Sequence, residues 1–153
     1  MTNILNLFKF IESKVPQYLV PLKLKMIHDP KSVTSNDFTT KKDLDLSNTK
    51  ITSLPDDITI GGALWLSNTL ITQLPDNLKV GGFLSLFNTP ITTLPDNLKV
   101  GGTLDLGGTL ITQLPSNLKV GRNLILFNTP ISKKYSAEEI KKMVPGVAGT
   151  IYI

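Results

Sequence analysis

The chain has 153 residues, 41% hydrophobic side chains, no cysteine, one histidine and a formal net charge of +4 at pH 7. This length suits one domain or a small solenoid, and this hydrophobic content is too high for a disordered chain. The composition excludes disulfide scaffolds, cysteine-ligated zinc and thiol nucleophiles, and a single histidine argues against multi-histidine metal sites.

The first 42 residues are predicted to form a helical cap that covers one end of the fold. Ile4, Leu7, Phe8 and Ile11 recur at the spacing of one helical face. A solubilising cap is the favoured interpretation, and a helix that binds a partner or a membrane surface is the alternative. The sequence shows neither a signal peptide nor an apolar run of the roughly 18 residues that span a bilayer, so we expect a cytoplasmic protein.

Residues 43–131 repeat with a period of twenty. Each copy has Leu-x-Leu, then a threonine three residues later and an isoleucine two residues after that, and most copies continue with Leu-Pro and close with Gly-Gly. Phe38 lies twenty residues before Ile58, which predicts a degenerate coil over residues 33–42. The Leu-x-Leu pairs begin at Leu44, Leu64, Leu84, Leu104 and Leu124.

The residues of one copy predict its local structure. The Leu-x-Leu alternation predicts a short strand with both leucines on its inner side. Proline after leucine disfavours a regular helix and favours an extended return, and Gly-Gly allows a second corner or a close approach of two backbones. Stacked coils would bury the leucines and isoleucines as continuous ladders, and the threonine hydroxyls would bond backbone groups at the corner.

This pattern resembles the leucine-rich repeat family. The shared frame L-x-L-x-x-N-x-L is seen at residues 84–91, with threonine at the position of the family's asparagine. Twenty-residue copies containing Leu-Pro are most similar to the short repeats of bacterial effectors and bacteriophage proteins. The resemblance implies an α/β solenoid with a parallel strand face, and a threonine ladder in place of the asparagine ladder. The catalytic cysteine of the effector-type ubiquitin ligases has no counterpart in this chain.

Residues 132–153 are predicted to form a second cap made of a helix and a strand. Ser136 and Glu139 have the spacing of a capping box, which opens a helix that reaches about Met143. Residues 150–153 alternate again and are predicted to add a sixth strand. We expect residues 1–42, 43–131 and 132–153 to make a single folded unit.

The sequence carries no recognisable catalytic motif, so we expect no enzyme activity, no cofactor and no metal site. His28 lies outside the repeats, and the glycine-rich stretch at residues 101–103 falls at a repeat corner instead of opening a helix. Asp45 and Asp105 would lie three coils apart, about 14 Å along the stack, which is too far to share a metal ion.

The outward side chains of the strands are predicted to form a binding surface. Inner positions are nearly the same in every copy, whereas the outward positions vary and include the single tryptophan. Exposed aromatics on a rigid frame are typical of protein-binding patches. The alternative is that these aromatics pack on one another or are covered by the N-terminal segment. The candidate binding residues are Asp45, Trp65, Phe83, Ser85, Phe87, Asp105, Ile125 and Phe127.

These features predict a non-catalytic protein–protein interaction module. The resemblance to bacterial and bacteriophage repeats implies a host protein as the partner, inhibited or tethered in the host-cell cytoplasm. The main alternative is a structural or self-assembling subunit, for example of a virion, and the pattern is compatible with a homo-oligomer. Nucleic acid is disfavoured because the outward strand positions carry no Lys or Arg, although both ends of the chain are basic. No membrane partner is expected.

Overall fold

The computed structural model describes the backbone of residues 39–40 and residues 43–153 in full. Apart from its one strand, the segment expected to form the helical N-terminal cap lies outside the described residues. In chain order the elements are β1 (Thr39–Thr40), β2 (Leu44–Asp45), β3 (Thr59–Ile60), β4 (Leu64–Trp65), β5 (Lys79–Val80), β6 (Leu84–Ser85), β7 (Lys99–Val100), β8 (Leu104–Asp105), β9 (Lys119–Val120), β10 (Leu124–Ile125), α1 (Pro130–Lys134), α2 (Ala137–Met143) and β11 (Ile151–Tyr152).

The strands form two parallel sheets, one on each long side of the coil. Strands β2, β4, β6, β8, β10 and β11 make a six-stranded sheet, and β1, β3, β5, β7 and β9 make a five-stranded sheet. From β1 to β10, paired residues lie twenty residues apart, as for Leu64 with Leu84 and Val80 with Val100, whereas β11 pairs with β10 at a spacing of 27 residues. Strand β1 pairs with β3 in the same register, so the stacking extends into the predicted degenerate coil. The protein is therefore a parallel-strand β-solenoid.

The core of the solenoid consists of ladders of inward side chains that form one apolar cluster. Burying a leucine or isoleucine fully contributes about 1.5–3 kcal/mol, so the few buried residues of one coil cannot order twenty residues alone. Each coil is stable because its neighbours cover both of its sides. The buried apolar side chains of the copy that begins at β4 are Leu64, Leu66, Ile71, Leu74, Leu78 and Val80.

The threonine of each copy donates its hydroxyl to a backbone carbonyl three residues earlier, which confirms the predicted bond at the corner. Thr89 Oγ1 lies 2.8 Å from the Leu86 oxygen, and the other copies repeat this bond. A ladder between coils comes from the preceding residue instead. Asn88 Nδ2 donates to Asn68 Oδ1, and Asn68 Nδ2 to Asn48 Oδ1, both at 2.9 Å. Threonine therefore does not replace the asparagine ladder, because its hydroxyl bonds within its own coil.

The Gly-Gly corner brings successive backbones together. A Cβ on Gly101 would overlap the carbonyl oxygen of Gly81 and lie 3.0 Å from its carbonyl carbon. Gly121 stands in the same relation to Gly101. Only glycine permits this approach, so the glycine-rich stretch serves the stacking of the coils.

Two short helices follow the last repeat. Helix α1 begins at Pro130 after the N-cap Thr129, and the sequence analysis did not predict it. Helix α2 has the predicted capping box, in which Ser136 Oγ accepts the Glu139 N–H at 3.3 Å and the Glu139 carboxylate accepts the Ser136 N–H at 2.8 Å. Within the described residues, helices occur only in this region. The expected α/β class therefore does not describe the repeats, whose extended return segments form a second β-sheet.

The chain after α2 follows the path of one more coil. The Val120 N–H donates to the Gly146 oxygen at 3.1 Å, and the Leu124 N–H donates to the Thr150 oxygen at 3.0 Å. Strand β11 then pairs with β10 and places Ile151 opposite Leu124. The apolar side chains that this region adds to the core are Ile131, Ile140, Val144, Val147 and Ile151.

Candidate functional site

The strand face, defined as the outward side chains of the six-stranded sheet, brings the predicted binding residues together in three columns. Parallel strands with a twenty-residue register place equivalent residues side by side, about 4.8 Å apart. Asp45, Trp65, Ser85, Asp105 and Ile125 form the middle column, which Tyr152 extends. Their environments differ widely.

Trp65 and Phe83 pack against each other. Their ring centroids are 6.3 Å apart, the planes are tilted by 52°, and both side chains are half-buried. For this pair the alternative interpretation, in which the aromatics pack on one another, therefore holds. A tilted pair of this kind stabilises the fold and also presents its outer edges to solvent.

Ser85 is the one predicted binding residue that its neighbours cover completely. Its side chain is buried, and its hydroxyl lies 2.7 Å from the hydroxyl of Ser67 in the adjacent coil. Ser85 Oγ also accepts the Phe87 N–H at 3.4 Å. The structure thus places Ser85 beneath the strand face as a support for Phe87.

Phe87 and Phe127 are the most exposed aromatics of the face, with 46% and 47% of their surface accessible. They lie two coils apart in the column that contains Gly107 between them. Phe127 also contacts Tyr152, with ring centroids 6.4 Å apart. Tyr152 is 41% exposed and joins the face through β11, next to the half-buried Ile125. Exposed aromatic surface therefore extends without a break from Phe127 to the last strand.

The two aspartates of the middle column make the same bond in different surroundings. Asp45 Oδ1 accepts the Ser47 N–H and Asp105 Oδ1 accepts the Gly107 N–H, each at 2.9 Å. Asp45 is exposed, whereas Asp105 is partly buried. Burial raises the pKa of Asp105 above its ordinary value, and the bond from Gly107 counteracts this only in part. The carboxylate of Asp105 is therefore a poorly solvated charge on an aromatic surface.

Gly107 and Tyr152 were not among the predicted binding residues, although both lie on strands that the sequence predicted. Gly107 has no side chain, and it lies buried under the Phe87 ring, where an added Cβ would be only 3.1 Å from Phe87 Cδ2. Tyr152 could have been found by aligning residues 150–153 with the strand of the preceding copy. A second apolar column, outside the strand face, was also missed: Leu70 and Leu110 are 52% and 53% exposed at the residue that follows the corner threonine.

Other kinds of site have little support in the part of the chain that the structure describes. Among residues 43–153, no cluster of three or more His, Asp or Glu side chains could hold a metal ion. No helix of the described region has the length and apolar character needed to cross a membrane.

The geometry defines a class of protein, a parallel β-solenoid with an aromatic strand face. Comparison with known proteins adds no relative: no family model, no curated protein and no solved structure matches the chain.

Proposed function

We propose that this protein is a non-catalytic protein-binding module of the leucine-rich-repeat kind, and that its strand face contacts the partner. The observation that carries this proposal is a contrast between two exposed surfaces. On the five-stranded sheet one exposed residue recurs in successive coils, as Lys79, Lys99 and Lys119. On the strand face the exposed residue changes from coil to coil. Exposure alone does not explain that variation, whereas recognition of an irregular partner surface does.

The architecture supports the same role. A solenoid must cover the apolar ends of its stack, and we propose that residues 1–42 and 132–153 serve as its two caps. The buried side chains of α2 and β11 support the C-terminal cap. Between the caps, the strand face is held on a frame of buried ladders, which reduces the conformational entropy lost on binding.

The partner that best suits the resemblance is a host protein, inhibited or tethered in the host-cell cytoplasm by a bacterial or bacteriophage product. This part of the proposal rests on analogy between repeats. No cofactor, nucleic acid or membrane enters the proposed function.

A second candidate function is self-assembly. Strand β11 ends the six-stranded sheet, and its Tyr152 and the following Ile153 are 41% and 43% exposed. An edge strand with exposed apolar side chains is a surface on which another chain can pair. Light scattering on wild type and Tyr152→Lys tests this candidate function. Self-assembly requires that wild type forms particles larger than a monomer and that the variant does not.

The main test compares two pairs of equally exposed apolar side chains. In the strand-face variant Phe87 and Phe127 are both changed to alanine. In the matched control Leu70 and Leu110, which lie outside the face, are changed to alanine. Both variants should fold, because all four side chains are about half exposed. We expect a partner captured from host-cell lysate by wild type and control to be lost with the strand-face variant.

Equal capture by all three proteins would refute the strand face as the binding site. Trp65→Ala provides a further check, since Trp65 packs on Phe83 and still presents an edge to solvent. We expect it to weaken capture and to lower stability by about 1–2 kcal/mol, less than the loss for a fully buried aromatic. An unchanged partner yield would place the contact elsewhere.

A further inference from the structure

The return side of the solenoid carries two ladders of opposite charge. The lysine ladder lies on β5, β7 and β9, where paired, exposed positions hold Lys79, Lys99 and Lys119. The aspartate ladder recurs with the same period of twenty at the exposed residues Asp56, Asp76 and Asp96. In the two coils that have both charges, the aspartate precedes the lysine by three residues. The two ladders therefore follow the stack together.

The lysine ladder is not needed to build the five-stranded sheet. Thr59 holds the equivalent position on β3 and pairs with Lys79 in the same register. Like charges about 4.8 Å apart on one face repel each other, so three lysines in a row are unfavourable by themselves. In the part of the chain that the structure describes, no ion pair joins these lysines to a carboxylate. Their charge is therefore available to a partner.

The spacing of the lysines favours one kind of regular ligand. The outer two lysines are two coils apart, which is about 9.6 Å. An α-helix rises about 1.5 Å per residue, so side chains at i, i+4 and i+7 on one face span about 10.5 Å. Three alternate side chains of a β-strand span about 13 Å. A row of acidic side chains on a helix therefore matches the lysine ladder better than a row on a strand.

The aspartate ladder restricts the ligand further. Asp76 lies in a turn that the Leu78 N–H closes on the Pro75 oxygen at 3.2 Å, and Lys79 follows directly. A ligand that is negative over its whole width, such as nucleic acid, would meet repulsion from these carboxylates. A helix can instead present a basic stripe beside its acidic stripe, so that each ladder faces the opposite charge.

We propose that the two ladders together dock an α-helix of a partner protein that carries an acidic stripe next to a basic stripe. The acidic stripe would face the lysine ladder, and the basic stripe would face the aspartate ladder. Both ladders lie outside the six-stranded sheet that forms the strand face. The inference therefore goes beyond the proposed function and does not rest on it.

The test uses two helical peptides of the same composition as probes. The striped peptide has glutamate at i, i+4 and i+7 and lysine one residue after each, and the control peptide has these charges spread around the helix. Fluorescence anisotropy measures their binding to the whole chain at low ionic strength. We expect the striped peptide to bind about tenfold more tightly, because each exposed ion pair contributes little and several would form together. This preference should decline as added salt screens the charges.

Two triple variants show whether the lysine ladder is responsible. The ladder variant is Lys79→Gln/Lys99→Gln/Lys119→Gln, and it should lose the preference. The matched control, which removes the same charge from exposed lysines outside the ladder and should keep the preference, is Lys50→Gln/Lys133→Gln/Lys142→Gln. The ladder variant should melt no lower than wild type, because it removes repulsion between like charges. Loss of the preference therefore cannot be attributed to unfolding.

The outcomes separate this inference from the proposed function. Equal binding of the two peptides, or a preference that the ladder variant retains, would overturn the inference. Tighter binding of an oligothymidylate than of the striped peptide would also overturn it, because the lysines would then serve a polyanion. Partner capture depends instead on Phe87 and Phe127. Its loss in the strand-face variant would support the proposed function whatever the peptides do, and its persistence would refute that function without affecting the ladders.

Discussion

The asparagine ladder gives the sharpest test of how the coils are held together. It connects Asn48, Asn68 and Asn88, and it is interrupted in the next coil by Gly108. Gly108 has φ of +69°, close to the +55° to +58° of the asparagines. A Cβ added there would lie 3.6–3.8 Å from atoms of Asn88, which is ordinary van der Waals contact. Gly108→Asn should therefore fit without strain beyond that of its siblings.

The expected gain can be worked out from three contributions. The new amide would donate to Asn88 Oδ1 and accept from Asn128, and two exposed hydrogen bonds contribute about 0.5 kcal/mol each. Removing glycine's freedom from the unfolded chain contributes about 0.4–1 kcal/mol. A positive φ costs an ordinary residue about 1 kcal/mol, and this cost is smaller for asparagine. The variant should be about 1 kcal/mol more stable than wild type.

Gly108→Ala is the matched control, because it has the same change in chain freedom and no amide. It should be less stable than Gly108→Asn by about 1.5 kcal/mol, since it makes neither hydrogen bond and bears the full cost of the positive φ. Urea unfolding followed by circular dichroism measures both differences directly. If asparagine is no better than alanine at this position, the ladder does not stabilise the stack and the reasoning is wrong.

Two further predictions test the corner and the C-terminal helix. Thr89→Val should lower the free energy of unfolding by about 1 kcal/mol, because the Leu86 carbonyl loses its bond from the hydroxyl and keeps only the one from the Thr89 N–H at 3.2 Å. Thr49→Val should lower it by less, because Thr49 is only partly buried. Equal losses for the two variants in urea unfolding would contradict this reasoning. Bonds from Ser136 lower the pKa of the Glu139 carboxylate, so its contribution to α2 is present above the ordinary glutamate pKa and is lost as pH falls through the lowered value. Amide protection factors in α2, which are exchange rates corrected for the intrinsic effect of pH, should therefore fall on acidification, and Glu139→Gln should weaken that dependence.

The architecture of the repeats was predictable because each inner position is fixed by the same contacts in every coil. Leu-x-Leu at twenty-residue spacing determines the strand, its register and the ladder at once. The corner bond of Thr89 could be predicted for the same reason, since it joins atoms three residues apart. The capping box at Ser136 is likewise local. Features that depend on residues close in sequence, or on an exact repeat, could therefore be predicted correctly from the sequence.

Features that depend on contacts between coils were predictable only in part. Threonine at the asparagine position of the leucine-rich repeat frame suggested a threonine ladder, but the side chains that bond between coils are those of Asn68 and Asn88, which both have a positive φ. Ser85 looked outward by alternation, yet the Ser67 hydroxyl and neighbouring side chains cover it. Helix α1 is only five residues long and contains Pro130, so it leaves no periodic signal. The exposure of a residue in one column depends on the side chains of the neighbouring columns, and the alternation of residues along a strand gives no information about those side chains.

The fourth copy differs from the others at two adjacent outer positions, Gly107 and Gly108, and their place bears on function. The fourth copy keeps its inner residues Leu104 and Leu106, but it has Asp105, Gly107 and Gly108 on its outer side. We expect asparagine to stabilise the protein at two of these positions. At Asp105 it removes a poorly solvated charge, and at Gly108 it completes the asparagine ladder. Stabilising substitutions that remain unused often mark places where function opposes stability. Here both lie near the exposed Phe87 and Phe127, on the surface that we propose contacts the partner.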